Sequence, residues 1–340
     1  MKNIDFSDGI ELLLNSENIL ITTHIYPDGD AIGSALALYN FAKVLGKNAR
    51  IIICESASPT QYRFLANSEQ IQMYISEQHD EFISSADIIF VLDCGELSRV
   101  KSMKEAIKNS NAKKILIDHH IEPENFADLT FSNPKAAATG ELIYYFIKQA
   151  KGEISKDIAE AIYSAIYTDT GGFRFSATTA QIHRIVAELI DSGANPDYIY
   201  ENIYNQNSNA RMKLNGLAMS NIEYFCDGKF AVICLAEDIF KQTGASIEDT
   251  ENMSQIPLSV RGVLVSALLV ETIEKNEIKV SLRSKGNINV REIAAKYGGG
   301  GHFNASGFRL QNTTLEKIKL DLNYLISGDI IKNRKKRFYK

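Results

Sequence analysis

Cysteine, basic charge and long apolar runs are what this chain has little of. Its 340 residues include four cysteines, Cys54, Cys94, Cys226 and Cys234, far apart and without a CxxC pair. Neither a disulfide framework nor a zinc knuckle is therefore expected, and each cysteine reads as a small buried hydrophobe. The formal net charge is −5, which excludes a protein that coats long nucleic acid through a broad basic face, long duplex DNA included. Short anionic substrates in a locally positive or metal-filled cleft stay compatible with it. No apolar run reaches the roughly eighteen residues of a membrane span, and Lys2, Asp5 and Asp8 interrupt the start where a secretory leader needs continuous apolar side chains. A cytoplasmic protein that makes no use of a membrane is expected. What the chain does have is 45% hydrophobic and 23% charged side chains, the balance of a soluble globular protein. Its length favours two domains over one.

The first half alternates short β-rich runs with helical patterns, the signature of a parallel sheet wrapped by helices. Asn18–Thr22, Arg50–Cys54, Ile88–Leu92 and Lys114–Ile117 read as strands; the last two are short, mostly apolar runs, as central strands are. Helices are predicted over Ala31–Leu45, Thr139–Ala150, Ser155–Tyr167 with Ser155 as cap, and Thr179–Asp191. An Asn-rich stretch between Asp191 and Tyr224 reads as a mostly helical connector. Beyond it, strands are predicted at Lys229–Leu235, Val263–Glu271, Glu277–Arg283 and Ala305–Leu310, with a hairpin through Glu274, Lys275 and Asn276. Helices at Val290–Tyr297 and Thr314–Ile326 complete a second α/β unit. The expected domains are thus residues 1–190, a connector over 191–224, residues 225–330, and a basic tail over 331–340 expected to fray.

Chemistry enters where the strands end. Open parallel sheets bind ligands beyond the carboxyl ends of their strands, and strand after strand here ends in a carboxylate or an imidazole. The first runs into a HxxxDxD string, His24, Asp28 and Asp30, with Gly29 expected to permit a tight path between the acids. Either acid alone can be a helix cap. The next apolar run ends at Asp93, and the one after it in Asp118, His119 and His120. The helix begun at Ser155 delivers Asp169 in YTDTGGFRF, where Gly171 and Gly172 free the backbone to turn. An acid at a helix C-terminus opposes the dipole, so something else must favour it.

Five carboxylates and three imidazoles aimed at one crevice repel and desolvate each other unless cations neutralise them. The donor set is rich in oxygen, has imidazole and lacks thiolate, which suits manganese or magnesium better than structural zinc. There are more candidates than one ion needs, so two ions sharing a carboxylate is the natural arrangement. Paired divalent ions stabilise the attacking and leaving oxygens of an in-line phosphoryl displacement, and phosphoester hydrolysis is the reaction class that follows.

At this point the sequence resembles the DHH phosphoesterase family, named for a run like Asp118, His119, His120. HxxxDxD, the LDC acid at Asp93, DHH and TDTGGFRF occur in the family's order. The second half is similar to the DHH-associated domain through VSLRSKG around Arg283 and the GGGGH run, Gly298, Gly299, Gly300, Gly301 and His302. In length and motif text the chain resembles most the subfamily of bifunctional oligoribonucleases and PAP phosphatases. The resemblance implies a parallel-sheet catalytic domain with helices on both faces, a smaller α/β associated domain, and a catalytic cleft between them. It implies one manganese held by His24, Asp28 and Asp93, and a second by Asp30, Asp93, His119 and Asp169, with a hydroxide between them as nucleophile. Magnesium or cobalt would be substitutes. His120 would contact the scissile phosphate or protonate the leaving oxygen, and Asp118 would orient a ligand histidine. Arg283, the four glycines and His302 would hold substrate; Arg99 and Arg174 follow metal-site motifs and are further candidates for phosphate contact. His79 and His183 stay unassigned.

The activity so implied is removal of 5′-mononucleotides from very short oligoribonucleotides, linear dinucleotides such as pApA among them, and dephosphorylation of 3′-phosphoadenosine 5′-phosphate. Competing readings are a manganese inorganic pyrophosphatase, whose Arg-Lys-Lys cluster is echoed only in Arg334, Lys335 and Lys336, a RecJ-type exonuclease, and a nucleotide-binding regulatory module with a dead site. A homodimer is the general expectation for such a chain.

Overall fold

The structure, a computed structural model, describes residues 4–54, 60–272 and 276–338; the side chains of residue 60 and of 329–338 fall outside that description. The chain divides into two units, Met1–Gln206 and Asn207–Lys340. In the first, the elements run α1 (Ser7–Asn15), β1 (Asn18–Thr22), α2 (Gly29–Val44), β2 (Asn48–Ile53), β3 (Ile71–Met73), α3 (Ser76–Ser85), β4 (Ile88–Leu92), α4 (Lys104–Asn109), β5 (Lys113–Asp118), β6 (Leu129–Ser132), α5 (Thr139–Gln149), α6 (Lys156–Asp169), α7 (Ala180–Asp191) and α8 (Pro196–Tyr204).

The strands form one parallel sheet in the order β3-β2-β1-β4-β5-β6. Their side chains alternate between two cores, which is why the central runs are apolar throughout. Ile19, Ile21, Ile51, Phe90, Ile115 and Ile117 face one core with α1, α2 and α5 to α8. Leu20, Ile52, Ile89, Val91 and Leu116 face another with α3 and α4. The strand order reverses between β1 and β4, so the chain leaves the sheet in opposite directions there and opens a crevice beyond the carboxyl ends of those two strands.

One helix of that wrapping is set unusually deep. A Cβ on Gly33 of α2 would lie 2.4 Å from the Ala161 carbonyl oxygen of α6, one on Gly140 of α5 would lie 2.5 Å from Ala165 Cβ, and one on Gly29 would lie 2.4 Å from Thr168 Oγ1. Three glycines thus let α6 press against α2 and α5, and its last residue, Asp169, is carried to the sheet end. Gly29 itself is the first residue of α2 and has no left-handed backbone. The tight path expected of it is not used; its missing side chain makes room for Thr168.

The second unit contains α9 (Asn209–Ser220), β7 (Glu223–Phe225), β8 (Phe230–Leu235), α10 (Glu237–Thr243), β9 (Val265–Thr272), β10 (Glu277–Ser284), α11 (Val290–Ala295), β11 (Gly300–Gly301), β12 (Ala305–Gln311) and α12 (Leu315–Phe338). Its sheet has the order β11-β12-β10-β9-β8-β7 and is antiparallel except for the β8–β9 pair. One face packs Val232, Leu269, Val280 and Phe308 against α11 and α12; the other packs Ile233, Leu235 and Val270 against Leu214 and Ala218 of α9.

The Asn-rich stretch forms both α8, which buries Ile199 and Ile203 in the first unit's core, and α9. Glu274 and Lys275 of the expected hairpin lie outside the described residues; β9 and β10 do pair antiparallel on either side of them. α12 is longer than its predicted span and stays helical through the basic stretch where fraying was expected, to Phe338. The side chains of that basic stretch, and Tyr339 and Lys340 altogether, are outside the description. Among the described residues no helix is long and apolar enough to cross a membrane.

The depth of α6 has a direct test. Alanine for glycine inside a helix would ordinarily gain about 0.5–1 kcal/mol, but Gly33→Ala should instead cost about 1–3 kcal/mol by overpacking, read as a lower urea midpoint. An unchanged or raised midpoint would show that α2 and α6 are not in the contact described.

Candidate metal centre

Each acid at the sheet end is placed by a local rule. Asp28 is the N-cap of α2, its Oδ1 accepting from the backbone N–H groups of Asp30 and Ala31. The helix-cap reading and the ligand reading of this acid therefore coexist, since a carboxylate that caps with one oxygen still presents the other. Asp93 follows β4 with φ +53, the left-handed region that Asp enters at little cost. That single turn folds its carboxyl back over the strand end. β5 runs one residue further than predicted and ends on Asp118 itself.

Asp30 is held from the opposite side of the crevice. The N-terminus of α5 faces it, Thr139 N–H donating to Oδ2 at 2.6 Å and Gly140 N–H to Oδ1 at 2.9 Å, and Ser34 Oγ adds a bond at 3.1 Å. Helix N-termini favour anions in this way. Thr139 Oγ1 also donates to Asp93 Oδ1 at 3.0 Å, so one threonine ties two of the acids together. Sequence reasoning passed over Thr139. It begins the helix predicted there, and its cap-like position in ATGE was the available signal.

The histidines are oriented by backbone. His24 Nδ1 lies 2.8 Å from the Ile25 carbonyl and His119 Nδ1 lies 3.3 Å from the Ala136 carbonyl. A carbonyl can only accept, so Nδ1 carries the proton in both rings and Nε2 presents its lone pair when the ring is neutral. Those Nε2 atoms point at carboxylate oxygens: His24 at Asp93 Oδ2, 3.5 Å away, and His119 at Asp30 Oδ2, Asp93 Oδ1 and Asp169 Oδ2, at 3.7, 3.6 and 3.5 Å. These separations exceed ordinary hydrogen bonds. They are close to the roughly 3–3.5 Å between neighbouring ligand atoms that share one divalent ion at 2.0–2.2 Å.

Three groups of donors result, each with ligand atoms within 4.8 Å of one another: His24, Asp28 and Asp93; Asp30, His119 and Asp169; and Asp93, His119 and His120. Asp93 and His119 each belong to two of them. Seven of the sequence-derived candidates, His24, Asp28, Asp30, Asp93, His119, His120 and Asp169, are thereby brought together from the ends of β1, β4 and β5 and from α2 and α6.

Asp118, fully buried, takes His120 Nδ1 at 2.7 Å, so the histidine it orients is His120. Its other oxygen, Oδ2, has no hydrogen-bond partner among the described residues. Burial pulls the His120 ring towards neutrality, but the Asp118 bond and the Asp93 charge outweigh it and raise its pKa. Arg99 is close enough to oppose that rise, while the Arg174 guanidinium sits over the Phe175 ring at 5.1 Å. His79 caps α3 through the Ile75 backbone, and His183 lies against the Phe173 ring.

Crowding of like charge in a dry setting shows in the acids themselves. Burial first, and Asp93 next, push Asp30 well above the usual carboxylate range. Asp28 keeps a solvent-facing edge, yet close packing around its carboxyl and then Asp93 raise it too. Burial lifts Asp169 to about 6, with Asp28 and Asp93 adding to it against His119. Asp93 goes the other way: burial is the largest influence and raises it, but His24, His119 and His120 together bring it below its ordinary value. A carboxylate stabilised by three imidazoles and ringed by three acids that resist ionising is a set of donors that could hold a divalent cation.

In the second unit the expected substrate residues gather at one corner of the sheet. Arg283 on β10 is in register with Ala305 of β12, and His302 N–H donates to the Ala305 carbonyl at 2.7 Å. Gly300 and Gly301 pair with Gly307 and Ser306. A Cβ on Gly299 would lie 2.2 Å from the Gly307 carbonyl oxygen, and one on Gly301 would lie 2.5 Å from that of Ala305. Gly298 and Gly301 have φ of +73 and +131. The fold thus accounts for three of the four glycines, and only Gly300 is required neither by backbone angle nor by a neighbour.

The DHH family, N-terminal domain, matches residues 18–166, and the DHHA1 domain matches residues 227–327. The chain is 33% identical over 300 residues to the bifunctional oligoribonuclease and PAP phosphatase NrnA of Thermus thermophilus, covering 88% of this chain and 86% of that one. It is 26% identical over 313 residues to the protein of the same name in Bacillus subtilis, covering 91% and 95%. Among solved structures, an exopolyphosphatase-related protein from Bacteroides fragilis superposes with TM-score 0.91 at 35% identity over 96% of this chain and 97% of that one. RecJ of Thermus thermophilus in complex with Mn2+ is alike in fold, with TM-score 0.54 and 11% identity over 94% of this chain and 53% of that one.

Linkage fixes a sign for the raised acids. Without ions, Asp28, Asp30 and Asp169 hold protons in the folded chain that they give up on unfolding, so metal-free stability should fall as pH rises from about 4 through about 6. A divalent ion needs the ionised acids, so its stabilising effect should grow over the same interval. Thermal melts from pH 4.5 to 7.5 with and without MnCl2 check this. Curves that stay parallel would show that these acids do not face an ion site.

Proposed function

The chain belongs to the DHH family of phosphoesterases, and from that membership we propose that it is a manganese-dependent hydrolase of short oligoribonucleotides that also dephosphorylates 3′-phosphoadenosine 5′-phosphate. The observation that carries the proposal is the sharing of Asp93 and His119 between donor groups, which suits two ions with a common carboxylate. His24, Asp28 and Asp93 would hold one ion; Asp30, Asp93, His119 and Asp169 would hold the other. When bound, such ions supply Lewis acidity and bring the pKa of water towards neutrality. The donor set of oxygen and imidazole fits manganese, with magnesium and cobalt as substitutes.

The protein's own groups then divide the remaining work. His120, whose protonated form the Asp118 hydrogen bond favours, would donate a hydrogen bond to the scissile phosphate or give its proton to the leaving oxygen. Thr139 and the α5 N-terminus keep Asp30 and Asp93 from rotating away. Arg283 offers a planar fork to phosphate, and the glycine hairpin brings backbone close to the nucleotide. The name shared by the Thermus and Bacillus relatives is what selects short oligoribonucleotides and PAP among phosphate esters.

A side-by-side assay of pApA, 3′-phosphoadenosine 5′-phosphate and pyrophosphate with Mn2+ tests the substrate class. Turnover of the first two with inert pyrophosphate is expected, and rapid pyrophosphate cleavage with inert pApA would replace this reading by a pyrophosphatase. Asp93→Ala should abolish turnover and weaken both ions. Arg283→Ala should chiefly raise KM. Gly300→Ala should leave the denaturation midpoint unchanged while also raising KM; a KM that stays at the wild-type value would remove this glycine from substrate contact.

A further inference from the structure

Glu141 is a carboxylate with no exposed surface, three residues into α5, and the activity described above gives it no task. Its Oε2 accepts the backbone N–H of Ala137 at 2.8 Å, and its Oε1 has no hydrogen-bond partner among the described residues. Burying an acid this fully costs stability unless the carboxyl secures something in return. What it secures can be read one bond further on. The N–H of Ala137 and the carbonyl of Ala136 are the two ends of a single planar peptide unit, and that carbonyl is the one facing His119 Nδ1 at 3.3 Å.

We propose that Glu141 is a positioning residue for the metal centre, acting on His119 through the Ala136–Ala137 peptide. The proposal rests on the reading of His119 as a metal ligand. Because the peptide is planar, fixing the direction of its N–H fixes the direction of its carbonyl. The carbonyl then holds the proton of His119 on Nδ1, and the Nε2 lone pair is turned towards Asp30, Asp93 and Asp169. The chain carboxylate–peptide–imidazole is an indirect form of the carboxylate–histidine pairs that commonly set the tautomer of metal-binding imidazoles.

Besides the turn bond from Ala136 N–H to the Asn133 carbonyl at 2.9 Å, Glu141 supplies the side-chain contact that fixes this peptide. The segment Ala136–Ala138 is buried but is neither strand nor helix, and its three side chains are single methyl groups. Ala138 is extended, with φ −164 and ψ 158, so it precedes α5 without donating a side-chain cap. Glu141 reaches back across that turn in the manner of the acid of a capping box, but one residue beyond the usual target. The reach ends on the residue before the N-cap, whose peptide carries the carbonyl that His119 uses. Thr139, Gly140 and Glu141 thereby place Asp93, Asp30 and His119 from one helical turn.

The role asks for an acceptor at the Glu141 position, not for a charge. Glu141→Gln keeps an acceptor, whereas Glu141→Met keeps volume and helix propensity and removes it. The tautomer of His119 is read by 15N–1H correlation on the metal-free protein, and Mn2+ affinity by calorimetry. In the wild type and in Glu141→Gln, the Nδ1–H form should predominate and Mn2+ should bind with equal affinity to within a few fold. In Glu141→Met, the tautomers should mix and Mn2+ should bind about 10–100-fold more weakly, with the circular dichroism spectrum unchanged. If Glu141→Met does not fold, Glu141→Ala is read the same way. A non-acceptor variant with a wild-type tautomer, or a Gln variant as impaired as the Met variant, overturns the proposal. A wild-type protein that fails to bind Mn2+ would remove the metal reading alone, because the tautomer measurement needs no ion.

Discussion

Mutual repulsion among carboxylates buried at the end of one parallel sheet is the constraint to which the rest of this architecture answers. Asp28, Asp30, Asp93, Asp118 and Asp169 come from four separate places in the first unit and meet where β1 and β4 diverge. Nothing in hydrophobic packing favours that meeting. It is sustained by oriented dipoles and donors: the N-terminus of α5 on Asp30, the N-terminus of α2 on Asp28, three imidazoles on Asp93 and one on Asp118. Each donor offsets part of the cost of burial, and a cation at the proposed site would offset the rest. The site is thus strained in its charge, and its backbone turns through the left-handed region at Asp93, which aims the shared carboxylate, and at Tyr26, Glu122 and Phe173 in the same motifs.

The apolar scaffold answers to the same demand in a different way. Asp169 sits at the wrong end of a helix for an acid, and α6 has to approach closely for it to reach His119 at all. Gly29, Gly33 and Gly140 supply that approach by having nothing to place in the gap. Packing of helix on helix therefore sets the length of a polar contact some distance from it. Small residues in α2 and α5 that look like mere fillers are determinants of the site's geometry.

Much of this was legible in the chain itself. Apolar runs such as Ile88–Leu92 stood out because a strand buried on both faces has no polar phase to blur it, and the acids that follow such runs marked the functional end of the sheet. What stayed hidden was of two kinds. Short or half-exposed elements left little periodic signal: α3 buries only His79, Phe82 and Ile83, and β6 is the four residues Leu129–Ser132. Long-range polar pairing left none. The partners of Asp30 and Asp93 at Thr139 and Gly140 lie about a third of the chain away from the first of them, and adjacency in text did not say which of the two histidines Asp118 would hold. The GGGG run showed the converse, a motif read for its ligand that the fold accounts for at three of four positions.

The order of strands also carries a consequence for biogenesis. β1 must wait for β4, seventy residues later, before its second edge is covered, and Asp169 arrives later still. During synthesis the early acids emerge onto the ribosome surface without the helix dipoles and imidazoles that will tame them. The donor group of Asp30, His119 and Asp169 is therefore incomplete until α6 has been made, and an ion held there would report a completed first unit and would not be a seed around which it folds.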